Sequence, residues 1–156
     1  MLRISKIMDY GTLVLTYMAA CPERLCSAPE MAKALGLNPP TVSKVLKLLG
    51  RHGLVRSVRG VQGGYALGRP AAEISIAQVI DALDEQPFGL TECTALPGSC
   101  DFEAACTLRD NWQRINDTVR RALEAVSVAD MATPRAASAR QAVLLPRATV
   151  LKHSSI

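Results

Sequence analysis

The chain has 156 residues, a net charge of +4 and 49% hydrophobic residues, with few aromatics and five cysteines. That suits one compact, helical and aliphatic domain plus an extension. It excludes a membrane span, because no apolar run approaches the roughly 20 residues one needs, and MLRISKIMDYG lacks a signal peptide's charged-then-apolar layout, so a cytoplasmic protein is expected.

Ile4 to Ala20 reads as a first helix, with Ile7, Leu13, Val14, Tyr17 and Met18 near helical spacing and Pro22 just beyond. Ser27 can cap a second helix over Ala28 to Leu35, with Pro29 in its first turn, Glu30 three residues after the cap and Gly36 at its end. Asn38 can cap a third, opened by Pro39 and Pro40 and ending near Gly53. Its apolar face is Val42, Val45, Leu46 and Leu49. Two short helices joined by a tight glycine-containing turn form a helix-turn-helix, although a plain helical hairpin looks similar. LVRSV and YALGR then read as strands around the glycine-rich tip GVQGGY, which makes the unit a winged helix.

Charge supports a nucleic-acid role for this unit. From Met31 to Ala72 every charged residue is basic: Lys33, Lys44, Lys47, Arg51, Arg56, Arg59 and Arg69. A block this pure suits a polyanion, and the bland alternative is a solvated positive face. On the exposed side of the third helix, Thr41 and Ser43 can bond base edges, and Lys44 and Lys47 can reach guanine or phosphate. Arg59 on the wing can enter a narrow minor groove. For Lys47 and Arg51 the alternative is phosphate contact without specificity.

Ser75 to Leu83 reads as another amphipathic helix, followed by a loop broken by Pro87, Gly89, Pro97 and Gly98. A long helix is expected from about Thr107 to Ala129, with the stripe Leu108, Trp112, Ile115, Val119, Leu123 and Val126. So long a helix in so small a domain has little of its own chain to pack against, so a homodimer seam is expected, matching a pseudo-palindromic duplex site. Met131 to Ile156, rich in Ala, Ser, Pro and Arg, reads as a mostly disordered tail, although AVLLP and ATVL can pack. The expected organisation is a mainly α chain: winged-helix DNA-binding domain 1–84, loop 85–106, dimerisation helix 107–130 and tail 131–156.

The loop holds Cys93, Cys100 and Cys106 within the stretch ECTALPGSCDFEAAC. In the cytoplasm such a cluster is more often metal-binding or reactive than disulfide-bonded. Gaps of six and five residues are wider than zinc knuckles or ferredoxin spacings. They let one loop wrap an inorganic core larger than one ion, and thiolates are preferred iron–sulfur ligands. Zinc, a thiol switch and thiols with no ligand role stay open on spacing alone. The acidic surroundings argue modestly against a simple thiolate sensor.

RGVQGGYALGRP, the preceding GLVRSV, and three loop cysteines before a long helix resemble one family, over about residues 1 to 130. It is the family of winged-helix regulators that sense iron–sulfur clusters, including IscR-like and NsrR-like proteins. LRISKIMDYGTLVL, TVSKVLKLL and NWQRIN resemble the branch that regulates SUF genes for cluster assembly. The resemblance implies that Cys93, Cys100 and Cys106 bind the cluster, with [2Fe-2S] favoured over [4Fe-4S]. IscR-like proteins add a histidine three residues after the last cysteine, where this chain has Arg109. Neither His52 nor His153 is well placed. NsrR-like members use an aspartate on the first helix of the other subunit, and Asp9 matches that position. The alternative for Asp9 is a helix-start charge favoured by the helix dipole. Cys21 and Cys26 are taken as structural. The expected protein is therefore a DNA-binding transcriptional regulator, a repressor more than an activator and not an enzyme. A nitric oxide or redox sensor on the same scaffold is one rival, and a structural zinc-binding interaction module is another.

Overall fold

A computed structural model of the chain describes residues 4–61, 63–84 and 87–133. Helix α1 spans Lys6–Ala19, α2 Ala28–Leu35 and α3 Pro39–Arg51. Strands β1 (Val55–Val58) and β2 (Gly64–Leu67) form the wing, and α4 (Ile76–Leu83) follows it. Then come a short turn α5 (Glu92–Ala95), the long α6 (Arg109–Glu124) and α7 (Val128–Ala132). The expected winged helix is what the chain forms.

Local chemistry sets most boundaries. Ser5 accepts from the Met8 N–H and starts α1 at Lys6, two residues later than the apolar pattern suggests. Ser27 and Glu30 form the expected reciprocal capping box, and Gly36 closes α2 in the left-handed region at φ 65°. Asn38 occupies the cap position of α3, but its side chain makes no cap bond. The reason is local: Pro39 and Pro40 bring no N–H, and the Thr41 N–H already donates to the Asn38 carbonyl at 2.9 Å.

One apolar core joins these pieces. Val14, Leu15 and Met18 of α1, Met31 of α2, Val45, Leu46 and Leu49 of α3, and Val79, Ile80 and Leu83 of α4 are all buried. Each such side chain contributes about 1.5–3 kcal/mol of burial. Helix α3 thus packs on both α1 and α4. The wing is antiparallel, with Val55 opposite Leu67 and Val58 opposite Gly64. It is moored to the α1–α2 connection, because Cys26 and Tyr65 exchange two backbone bonds of 2.9 Å. The Cys26 side chain is fully buried, as a structural thiol should be. Gly68 closes the wing base, where a Cβ would stand 2.0 Å from the Gly53 carbonyl oxygen.

The C-terminal helix differs from the expectation. It does not run unbroken from Thr107 to Ala129: α6 starts at Arg109, stops at Glu124, and α7 begins afresh at Val128. The Ile76 N–H donates to the Val126 carbonyl and the Val128 N–H to the Ile74 carbonyl, both at 2.8 Å. Ser127 then caps α7 in a box with Asp130. Two strand-like bonds and a cap outweigh continued helix, and they bury Val128 completely in the core. Val126 therefore leaves the α6 stripe. Met131 and Ala132 belong to α7, so the expected tail does not begin at Met131. AVLLP and ATVL lie outside the described residues.

Ser127→Ala tests this break. A continuous helix would gain from alanine, whereas a lost cap costs about 1 kcal/mol. Urea unfolding of the variant is expected at a lower midpoint; a raised midpoint would contradict the break.

Candidate nucleic-acid interface and thiol loop

The four buried residues of α3 face the core, which turns Ser43, Lys44, Lys47 and Arg51 outward. Thr41 is half-buried at the start of the same face. Arg56 and Arg59 are exposed on the wing, and Val61 stands fully exposed at its tip. The structure thus leaves the predicted Ser43, Lys44, Lys47 and Arg59 open to solvent, with Thr41 at the margin. Glu30, just before the basic block, is neutralised. It accepts from the Tyr17 hydroxyl at 3.0 Å and pairs with Arg24. The Tyr17 bond, first, and the arginine hold its carboxyl below the usual range, while the same bond raises Tyr17. Sequence reasoning missed this trio, since only the fold brings residues of two helices and a loop together.

The cysteine stretch is less irregular than a plain loop. Cys93 lies in α5, where the Thr91 hydroxyl sits 3.3 Å from its sulfur. The Ser99 hydroxyl donates to the Glu92 carbonyl at 2.9 Å and ties the loop back on itself. Glu103 opens a single 3-10 turn, accepts from the Gly98 N–H at 2.6 Å and pairs with Arg109 at 2.9 Å. Cys100 and Cys106 line one surface cavity of about 540 Å³ with Glu103, Arg109 and Asp110. Cys93 does not line it. All three thiols are free and half-exposed.

Among the described residues, no three His, Cys, Asp or Glu side chains are gathered closely enough to hold a metal ion. The donor chemistry fits a thiolate-bound iron–sulfur cluster, but ligation would require the loop to draw Cys93 toward the other two. Asp9 is exposed in the first turn of α1 and belongs to no group of three possible metal ligands among the described residues. Arg109, at the position of the absent histidine, serves as the partner of Glu103. His52 caps the C-terminus of α3, far along the chain from the thiols, and His153 lies outside the described residues.

The segment leading into the loop is held at each of three successive residues. Phe88 lies under the Arg120 guanidinium, 5.8 Å from the ring centre. Gly89 packs so closely on α5 that a Cβ would stand 2.3 Å from the Ala95 nitrogen. The Leu90 N–H donates to the Asn116 side-chain oxygen at 3.1 Å, and Asn116 is the buried polar residue of α6. Arg120 also forms a fork with Asp81 of α4, two bonds of 2.6 Å, and bonds Glu124 at 3.0 Å. Those bonds, Asp81 foremost, raise its pKa further and keep it charged. The only sequence signal for this joint is a polar Asn116 beside Ile115 in an apolar stripe. That stripe faces outward over its first half: Leu108, Trp112 and Ile115 are exposed. An adjoining groove of about 1020 Å³ is lined by Ile4, Met8, Leu90, Leu96, Trp112 and Val119, among others.

A family profile described as Rrf2, iron-dependent transcriptional regulator, matches residues 4–134. Protein aau3 of Rhizobium meliloti (strain 1021) is 38% identical over 127 residues, 80% of this chain and 76% of that protein. The solved structure of T. potens IscR matches with a TM-score of 0.63 and 27% identity, covering 83% of this chain and 85% of that one. CymR, described as the global cysteine regulator of B. subtilis, matches with a TM-score of 0.64 and 30% identity, covering 85% and 97%. The oxidized form of Staphylococcus aureus CymR gives 0.64 and 26%, covering 85% and 98%.

Burial separates the five thiols. Cys26 is fully buried, and desolvation pushes its pKa up, while the other four are partly exposed. Since the thiolate is the reactive form, the metal-free protein should show four thiols reacting readily with a disulfide reagent at neutral pH and a fifth only after unfolding. Five thiols reacting in one fast phase would contradict the mooring of the wing through Cys26.

Proposed function

The chain belongs to the Rrf2 family of transcriptional regulators, and from that premise we propose that it is a homodimeric DNA-binding regulator whose operator affinity is set by an iron–sulfur cluster held at Cys93, Cys100 and Cys106. It is a regulator and not an enzyme. The observation that supports this reading most is the placement of three free, half-exposed thiols on a loop tied through Leu90 and Asn116 to α6. That helix is tied in turn by Arg120 to α4, which packs on α3.

A bound cluster, [2Fe-2S] favoured over [4Fe-4S], would supply a centre that responds to iron, oxygen or nitric oxide. Thiolate ligation by the three cysteines would gather a loop that otherwise leaves Cys93 apart from Cys100 and Cys106. Asp9 of the partner subunit is the proposed fourth ligand, since the described residues offer no histidine close to the loop along the chain. Thr41, Ser43, Lys44 and Lys47 would read one major groove, with Arg59 reaching the adjacent minor groove. Two copies meeting along the exposed Leu108, Trp112 and Ile115 would space two recognition helices for a pseudo-palindromic operator in double-stranded DNA. The proposed role is repression, in the cytoplasm, of iron–sulfur assembly (SUF) genes, a target reading carried by the LRISKIMDYGTLVL, TVSKVLKLL and NWQRIN stretches.

One observation favours a second reading, a thiol or redox sensor. Cys100 and Cys106 share a cavity beside Arg109 while Cys93 is elsewhere. The two readings separate on anaerobically purified protein. The cluster reading expects iron and sulfide in matching amounts and visible absorbance lost in each of Cys93→Ala, Cys100→Ala and Cys106→Ala. Colourless, iron-free protein whose duplex affinity changes on oxidation would favour the thiol reading.

The DNA contacts carry their own test. A double variant Lys44→Ala, Lys47→Ala removes four cations per homodimer and should flatten the salt dependence of duplex binding by about 3.6 in log–log slope, because each neutralised phosphate contributes about 0.9. An unchanged slope in an anisotropy titration would remove these lysines from the interface.

A further inference from the structure

Phe88, Gly89 and Leu90 stand between the thiol loop and the DNA-reading unit. Each touches a different part of the surroundings. The Leu90 backbone is fixed to Asn116, Gly89 leaves no space between itself and α5, and Phe88 is covered by Arg120. Asn116 and Arg120 are one helical turn apart on α6 and so present one face to this segment. Arg120 continues the path, because its fork grips Asp81 of α4.

Helix α4 cannot shift alone. Five of its eight residues are buried, and it packs on both α1 and α3. At its C-terminal end Leu83 fills the space beside Gly11 of α1, where a Cβ would stand 2.2 Å from a Leu83 methyl. A displacement of α4 therefore moves the surface on which the recognition helix rests. Packed elements of this kind pass small shifts on because close-packed interiors have little free volume to absorb them.

We propose that Asn116 and Arg120 are positioning residues that couple the state of the thiol loop to the recognition helix, through the Phe88–Leu90 segment and Asp81. This rests on the reading of the loop as the sensor. A planar fork suits the task better than a flexible ammonium, since Arg120 holds both Asp81 oxygens, Glu124 and the Phe88 ring at once. When the loop closes around a ligand, strain enters at Leu90 and Gly89. Asn116 and Arg120 keep it from dissipating into solvent and direct it to α4.

The test compares duplex affinity of anaerobically reconstituted full-length protein with that of the Cys93→Ala, Cys100→Ala, Cys106→Ala variant. The probe is a duplex selected from a randomised pool by the reconstituted wild type. The ratio of the two affinities measures coupling, and such ratios typically span about 5- to 150-fold. Arg120→Met should keep visible absorbance per chain, and its affinity in the cysteine-free background should match that of the unsubstituted cysteine-free protein. Its ratio should fall toward one, and Arg120→Lys should fall part of the way. Asp81→Asn, which keeps size and shape, should reproduce the loss and covers the case in which Arg120→Met does not fold. A merely structural role would lower melting temperature and leave the ratio alone. Ratios within about twofold of wild type in soluble, loaded Arg120→Met and Asp81→Asn would overturn the coupling while leaving the sensor reading intact. A wild-type ratio of one would overturn the sensor reading and the coupling with it.

Discussion

The eight residues of α4 carry two obligations, and the rest of the structure depends on their being met together. Ala77, Val79, Ile80, Ala82 and Leu83 are buried against α1 and α3, so the helix forms the floor under the recognition helix. Asp81 turns the other way and accepts the Arg120 fork from α6. An ion pair this exposed contributes little to stability on its own. Its value is geometric, because it fixes the angle at which the long helix leaves the domain. The Ile76–Val126 and Val128–Ile74 bonds hold the chain a second time, just beyond the C-terminus of the same helix. With the C-terminal part of α6 held to α4, a displacement of the segment before the thiols would reach α4 by way of α6.

Much of this was legible in the sequence. The periodicity of Val42, Val45, Leu46 and Leu49, the box of Ser27 with Glu30, and the left-handed Gly36 give the helix-turn-helix directly, because each signal is local. The wing follows from LVRSV and YALGR around a glycine-rich tip. What the sequence concealed is non-local. The break after Glu124 needs Ile74 and Ile76 to arrive from some fifty residues earlier and accept or donate backbone bonds. Helical propensity around Ala125 gives no hint of it. Asn38 looked like a cap, but two following prolines had removed the donor it would have served. The joint at Phe88–Leu90 is equally hidden, since only the fold sets Arg120 over Phe88 and Asn116 beside Leu90.

The thiol loop was legible as chemistry and less so as geometry. Three free thiols before a long helix point to a soft-metal or redox centre, and the Rrf2 profile places the chain among regulators described as iron-dependent. The single chain does not draw the three together. Glu103 bridges Gly98 and Arg109 and holds the loop in its own fold. The half-buried stripe of α6 has the same quality: Leu108, Trp112 and Ile115 are exposed here and suited to a second copy. Loop and stripe are joined by the groove that runs from Ile4 and Met8 to Leu96 and Trp112. Dimerisation and ligation would thus act on adjoining surfaces.

Amide hydrogen exchange tests most directly whether the state of the loop is felt by the floor of the recognition helix. The comparison is between anaerobically reconstituted protein and the variant lacking all three loop cysteines. The account predicts that the difference in protection runs from the loop through residues 87–91 and into α4. A difference confined to residues 92–106, with α4 exchanging identically in both proteins, would contradict it.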